Sequence, residues 1–157
     1  MPMKLGDAMP ELEGATAWFN GSPEDLEQHI AGKPVLVHFW AVSCGICKEK
    51  MPQLTDLKAK YQPLGLQVVS VHMPRYEADT DLDMVSETMK TNNIIEPTAV
   101  DNLHKLKDAF QNEQGWVPVY YLFDAEGKLK TRAAGEYGIT VLNTALEKMF
   151  APAAAAA

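Results

Sequence analysis

The sequence predicts one α/β domain in which helices cover both faces of a central mixed β-sheet. Two unbroken apolar runs, Val35–Trp40 and residues 67–73, are typical of strands buried on both sides. Helical patterns follow each run, and right-handed crossovers would place these helices on the two faces of the sheet. Val119–Phe123 and residues 128–133 flank a four-residue turn, which predicts a hairpin that adds antiparallel strands.

The first two helices are predicted from their starting residues and from apolar spacing. Ser22 and Pro23 are typical of an N-cap and a first helical residue, so a short helix is expected to end near Ile30. After the first long strand, apolar residues recur three and four positions apart. They predict a helix that opens at Cys44 and ends near Tyr61.

The second half of the chain is expected to contain three more helices and a short strand. A sequence typical of a helix start begins at Thr80, residues 99–100 suit a short strand, and residues 102–110 suit a helix. The last helix is predicted from five apolar positions: Leu142, Ala145, Leu146, Met149 and Phe150.

Length and composition limit what kind of protein this is. A chain of 157 residues with 46% hydrophobic content can bury a core without disulfide staples. We assign residues 1–150 to a single domain and expect the alanine-rich residues 151–157 to be a disordered low-complexity tail. The formal charge of −7 and the absence of a Lys/Arg cluster argue against nucleic acid as a partner.

The sequence has no feature that predicts a membrane segment. Residues 1–7 lack the apolar core of a secretory leader, and no stretch approaches the roughly 18 apolar residues that a membrane helix needs. As written, the chain is expected in the cytoplasm. An extracytoplasmic location fits equally if a signal peptide or anchor has been removed.

The only two cysteines, Cys44 and Cys47, form a Cys-x-x-Cys motif where a strand passes into a helix. Free N–H groups and the helix dipole stabilise an anion at a helix N-terminus and so lower the pKa of a thiol there. One helical turn separates the two side chains, which puts them on one face within reach of a disulfide. The motif predicts a redox-active pair.

Two other interpretations of the cysteines compete with redox chemistry. One is an inert structural disulfide, and the other is half of a zinc site. Zinc would need two further ligands, usually a second cysteine pair or a histidine pair. The four histidines show no such spacing: His29, His38, His72 and His104. We therefore expect no metal, and exchange between a dithiol and a disulfide requires no organic cofactor.

Two motifs give the chain a resemblance to a known superfamily. Residues 39–52 closely resemble the active-site run of thioredoxin-like proteins, and residues 49–52 are most similar to the TlpA/ResA type of disulfide reductase. Residues 116–128 resemble the superfamily's cis-proline loop and the hairpin after it. The resemblance covers about residues 5–150 and implies a thioredoxin-like fold.

The resemblance also implies where a substrate docks. It implies that the Val117-Pro118 bond is cis and lies beside the cysteines, and that the backbone of Val117 pairs with the substrate as an added strand. The alternative is an ordinary trans proline at a strand start. Trp40 would pack beneath the site and help to shape it, and with Val117, Pro118 and Ser43 it is a candidate docking residue. Ser43 stands where the family usually has Trp, and Ile46 where it usually has Pro, which leaves substrate choice and redox potential open.

His38 occupies a position where many thioredoxins carry a buried aspartate that accepts a proton from the second cysteine. Strand alternation puts His38 on one face with Leu36 and Trp40. A neutral imidazole there is a candidate acceptor for the Cys47 proton. The alternative is a core histidine whose ring is hydrogen-bonded to the backbone.

The loop after the second strand carries charges that the resemblance brings near the cysteines. Arg75 would lower the pKa of a neighbouring thiol, and the carboxylate of Glu77 would raise it. Both residues also suit a solvated loop without a role at the site.

The sequence and the resemblance together indicate a thiol–disulfide oxidoreductase that acts on protein disulfides. Cys44 would attack the substrate and Cys47 would release it, with electrons supplied by a dithiol donor protein. Alternatives are a thiol peroxidase, which the residues before Cys44 do not favour, and a redox-sensing or metal-binding adaptor.

Overall fold

Six strands form one sheet in this structure, a computed structural model that describes residues 2–156 and, for residues 152–156, only the backbone. The sheet order is β1-β4-β3-β2-β5-β6. β2 pairs with β3 and β3 with β4 in parallel, and the other pairs are antiparallel, so the predicted mixed sheet is confirmed. The strands are β1 Ala17–Phe19, β2 Val35–Trp40, β3 Gln67–His72, β4 Thr98–Val100, β5 Val119–Phe123 and β6 Leu129–Ala134.

Helices lie on both faces of the sheet, as the sequence predicts. Apolar residues of α2, α3 and α5 pack in one core cluster, and those of α1 and α4 pack in the cluster on the other face. A short 3₁₀ helix, Glu77–Thr80, precedes α3. The helices are α1 Pro23–Ile30, α2 Gly45–Tyr61, α3 Leu82–Thr91, α4 Lys105–Ala109 and α5 Gly138–Ala156.

Two elements differ from the sequence-based expectations. β1 is an edge strand in a segment for which the sequence predicts no element. The helix expected over residues 102–110 is shorter, because the Asp101 carboxylate accepts the N–H groups of Leu106 at 2.8 Å and Lys107 at 2.9 Å and thereby caps α4 at its start.

The tail predicted to be disordered begins inside the last helix. α5 continues through residues 151–156, and Ala157 lies outside the described residues. The division into a domain of residues 1–150 and a tail therefore stays a prediction.

The carboxyl end of β2 is the position that matters for the site. β2 lies between β3 and β5, with Trp40 opposite His72 of β3 and Phe39 opposite Val119 of β5. All six residues of β2 are buried, because helices cover both faces of the sheet. The chain leaves this end of the strand through residues 41–43 and enters α2.

Candidate active site

The two cysteines lie at the junction of β2 and α2 and are joined by a disulfide. Cys44 is the N-cap of α2, and its Sγ accepts the N–H of Cys47 at 3.0 Å. The Cα atoms are 5.2 Å apart, within the range a disulfide requires. Cys44 and Cys47 are only 3% and 1% exposed, while Gly45 and Ile46 between them face solvent. The site therefore presents a buried disulfide behind an exposed turn.

The loop before β5 reaches the same end of the sheet. The Val117-Pro118 peptide bond is cis. Because Val119 pairs with Phe39, continuing this register puts Pro118 beside Trp40 at the end of β2. Val117 is half-buried and packs against the core cluster that contains both cysteines. The structure thus brings Val117, Pro118 and the cysteine pair to the same end of the sheet.

Trp40 is fully buried, which corrects its expected docking role. Its indole Nε1 donates to the Ser70 hydroxyl at 3.2 Å, and its ring meets the His72 ring edge to face at a centroid distance of 4.8 Å. The side chain therefore has no surface to offer a substrate. It packs in the same cluster as the cysteines and supports the turn from below.

His38 is buried on the face of the sheet that α2 covers. Its ring stacks on Tyr120 at a centroid distance of 5.0 Å and an interplanar angle of 10°. Within residues 2–156 neither ring nitrogen has a hydrogen-bond partner, so the alternative of a backbone-bonded ring is wrong. Burial lowers the pKa of His38 to about 3, and the charge of Lys58 acts in the same direction. The ring is neutral at pH 7.

A buried ion pair joins the last turn of α2 to the loop before β4. Lys58 Nζ and Glu96 Oε1 are 2.9 Å apart, and the two side chains are 7% and 2% exposed. In the described part of the chain Glu96 Oε2 has no hydrogen-bond partner. Neither residue was singled out from the sequence, because nothing local marks a lysine on a helix as the partner of a glutamate 38 residues away.

The carboxylate that reaches the cysteine turn belongs to Asp79, which the sequence reasoning missed in favour of Glu77. Asp79 accepts the Ser43 N–H at 3.1 Å and the Ser43 hydroxyl at 2.7 Å. It also accepts the N–H groups of Arg75 at 2.9 Å and Tyr76 at 3.2 Å. Residues 77–83 contain four acidic side chains, and no sequence signal separates the one that turns inward from the others.

His72 is a second residue that the sequence reasoning did not assign to the site. It is fully buried, and its Nε2 accepts the N–H of Val42 at 3.1 Å, which ties β3 to the loop before the cysteines. Burial lowers the pKa of His72 to about 4, while the charge of Asp79 opposes this shift. Its place at the end of a predicted strand parallel to β2 was the available signal.

Groups that would hold a metal or cross a membrane are absent from the part of the chain that the structure describes. Across residues 2–156, His, Cys, Asp and Glu side chains nowhere gather in threes or more around a point where a metal would bind. Over the same residues, no helix has both the length and the apolar character to span a bilayer.

The fold and the site together define a class of protein. A central mixed sheet, a Cys-x-x-Cys disulfide at a helix N-terminus and a cis-proline loop beside it are the features of a thioredoxin-like thiol–disulfide oxidoreductase. Such an enzyme exchanges electrons between dithiols and disulfides, which implies protein disulfides as substrates.

Comparison with known proteins places the chain in a family within this class. The family model described as Redoxin matches residues 4–146, and the chain belongs to this family. It is 46% identical to Bacillus subtilis thiol-disulfide oxidoreductase YkuV over 149 residues, which are 95% of this chain and 98% of that protein. It is 27% identical to thiol-disulfide oxidoreductase ResA of Bacillus cereus over 94% of this chain and 79% of that protein.

A solved structure gives the same result at the level of the fold. The solution structure of a thioredoxin-like protein in its oxidised form is 46% identical, with a TM-score of 0.84 over 96% of this chain and 99% of that chain. The expected resemblance to thioredoxin-like and ResA-type proteins is confirmed, and the chain is a thiol–disulfide oxidoreductase.

Proposed function

We propose that the protein reduces disulfides of other proteins, with Cys44 as the attacking and Cys47 as the resolving cysteine. The observation that carries this assignment is that the Cys44 sulfur caps α2 and accepts the Cys47 N–H. In the reduced protein the same N–H would stabilise the Cys44 thiolate, which is the nucleophilic form. The proposal gives each sulfur one role.

The reaction consists of two exchanges. The Cys44 thiolate attacks one sulfur of the substrate disulfide, so that a Cys44–substrate disulfide forms and the other substrate sulfur leaves as a thiolate that takes up a proton. Cys47 then loses its proton and attacks the Cys44 sulfur. This step forms the Cys44–Cys47 disulfide and releases the second substrate thiol. Two electrons pass from the enzyme to the substrate.

Substrate docking is assigned to the surface around the disulfide. Ser43 is exposed directly before Cys44, and Val117 and Pro118 lie at the neighbouring end of β5. We propose that the backbone of Val117 pairs with an extended substrate segment, which would bring the substrate disulfide against Cys44.

His38 is our candidate for the group that takes the Cys47 proton. Its ring is neutral at pH 7, because burial lowers its pKa to about 3, and its nitrogens have no partner within the described residues. A pKa this far below 7 makes the ring a weak base for a thiol proton, so the role has to be decided by a variant. His38→Phe keeps a flat ring against Tyr120, so a slower second exchange in this variant would support the role, and an unchanged rate would remove it.

Direction and location depend on the redox potential. A dithiol protein must return electrons to the pair after each turnover, and the potential decides whether the pair reduces or oxidises in its compartment. A midpoint near −270 mV against glutathione would support a reductase in a reducing compartment such as the cytoplasm, and one near −120 mV would support an oxidant.

Insulin reduction tests the assignment of the cysteines. We expect the wild type to reduce insulin disulfides, Cys44→Ser to be inactive, and Cys47→Ser to accumulate a mixed disulfide with the substrate through Cys44. A mixed disulfide trapped on Cys47 in the Cys44→Ser variant, with none on Cys44 in the Cys47→Ser variant, would reverse the two roles.

A further inference from the structure

Three side chains at the cysteine turn form a polar cluster that we call the Ser43 clamp: Ser43, Arg75 and Asp79. Asp79, which is 3% exposed, holds Ser43 from the inner side through the Ser43 N–H and hydroxyl. Arg75 holds it from the outer side, because its Nε donates to the Ser43 hydroxyl oxygen at 3.2 Å and its Nη2 to the Ser43 carbonyl oxygen at 2.8 Å. Every polar group of Ser43 is thus engaged.

Backbone hydrogen bonds hold Asp79 and Arg75 of the clamp in place. Asp79 accepts the N–H groups of Arg75 and Tyr76, so the carboxylate closes the loop between β3 and the 3₁₀ helix while it holds Ser43. The Arg75 guanidinium also lies over the Tyr76 ring, 5.6 Å from its centroid. These contacts restrict the Arg75 side chain although it is exposed. A restricted guanidinium group loses less conformational entropy when it binds the Ser43 oxygens.

The residue that the clamp holds is covalently joined to the reacting cysteine. Cys44 donates its N–H to the Ala41 carbonyl at 3.0 Å, so residues 41–44 form a turn whose third residue is Ser43. Directly after this turn, the Cys44 sulfur accepts the Cys47 N–H at 3.0 Å. A rotation of the Ser43 backbone would move the sulfur away from that donor.

We propose that Arg75 and Asp79 are positioning residues that fix Ser43 and thereby hold the Cys44 sulfur at the N-terminus of α2, an inference that rests on the proposed role of Cys44. Neither residue touches the reacting sulfur in this assignment. Their contribution is to keep the thiolate where the Cys47 N–H stabilises it.

The charges around the turn make the positioning role separable from a charge effect. Burial alone would raise the pKa of Asp79, but hydrogen bonds from Arg75, Ser43 and Tyr76 outweigh it and lower the pKa, so the carboxylate is ionised at pH 7. Removing that negative charge would by itself lower the pKa of the Cys44 thiol. Loosening the turn would raise it, because the thiolate loses its donor.

Two other titratable groups, one on β3 and one on α2, do not reverse this sign. His72 on β3 is neutral at pH 7, because burial lowers its pKa to about 4. Lys48, in the first turn of α2, is exposed and unchanged in all variants. Arg75 is the cation of the clamp, and Arg75→Lys keeps its charge but removes the planar fork.

The experiment measures the pKa of the Cys44 thiol in the Cys47→Ser background, from the pH dependence of alkylation by iodoacetamide. We expect Asp79→Ala, Arg75→Lys and Ser43→Ala each to raise this pKa by about half a unit or more, which is about a threefold lower alkylation rate near neutral pH. The matched control is Asp81→Ala. The Asp81 carboxylate, two residues along the chain from Asp79, accepts the N–H groups of Asp83 and Met84 at the start of α3 instead of binding Ser43, so Asp81→Ala should leave the pKa unchanged.

Two results would overturn the proposal. One is a lower or unchanged pKa in Asp79→Ala, and the other is a wild-type pKa in Arg75→Lys. Should Asp79→Ala fail to fold, Ser43→Ala decides the question, because Ser43 is exposed and keeps its backbone contacts. A wild type that does not reduce insulin would count against the proposed function only, since the alkylation measurement needs no substrate.

Discussion

Lowering the pH from about 7.5 to about 5 should destabilise the oxidised protein by about 4 kcal/mol, because two buried histidines resist protonation. His38 and His72 have pKa values near 3 and 4 in the folded protein, against 6.5 as the ordinary value. At a pH between the folded and the unfolded pKa values, the two histidines are protonated in the unfolded chain and neutral in the folded chain. The free energy of unfolding therefore decreases once the pH falls below the histidine pKa of the unfolded chain. It goes on decreasing until the pH reaches the pKa of the folded protein.

The magnitude follows from the two pKa values of each ring. At a pH of about 5, an unfolded histidine with a pKa of 6.5 is almost fully protonated, and the folded ring is almost fully neutral. A gap of about 1.5 pH units below the unfolded pKa corresponds to about 2 kcal/mol for each ring. The two rings together give the figure of about 4 kcal/mol. Asp79 adds nothing in this interval, because its lowered pKa acts only at more acidic pH.

Urea unfolding at the two pH values measures this difference. In His38→Phe the pH-dependent loss should fall to about half, because one of the two rings is gone. His72→Gln should do the same while its amide oxygen keeps an acceptor for the Val42 N–H. A wild type that is equally stable at both pH values, or a His38→Phe variant with the full loss, would refute the reasoning.

Further predictions concern the ion pair, the turn and the metal. Glu96→Gln should lower the free energy of unfolding in urea by about 3 kcal/mol or more, because Lys58 is left charged and buried. Lys130→Met should lower it by less than about 1 kcal/mol, because Lys130 is 58% exposed and lies 3.6 Å from Asp124. Equal losses in both would contradict the distinction. Ile46→Pro should change the free energy of unfolding by no more than about 0.5 kcal/mol, because the first turn of a helix has free N–H groups; loss of the folded state would contradict this. Elemental analysis of the reduced protein should find far less than one zinc per chain, and stoichiometric zinc would favour the metal-binding adaptor.

Local patterns were sufficient for the cysteine pair and for the main elements after β1. Continuous apolar runs predicted β2 and β3, Ser22 and Pro23 predicted α1, and a turn between two strands predicted the hairpin. Each of these signals lies within a few residues of sequence, where backbone preferences and burial act directly. The Cys44 and Cys47 spacing belongs to the same group, because one helical turn fixes the reach between the two sulfurs.

The tertiary structure decided which distant side chains meet this pair. β1 has few residues and takes its conformation from β4, a partner about 80 positions away, so nothing in its own sequence required a strand. Asp79 and His72 reach the cysteine turn, Glu77 does not, and Trp40 turns out to be enclosed rather than available for docking. The choice among neighbouring acidic residues depends on the direction of a loop, and that direction is set by strand register and packing over the whole sheet, which short-range sequence patterns do not encode.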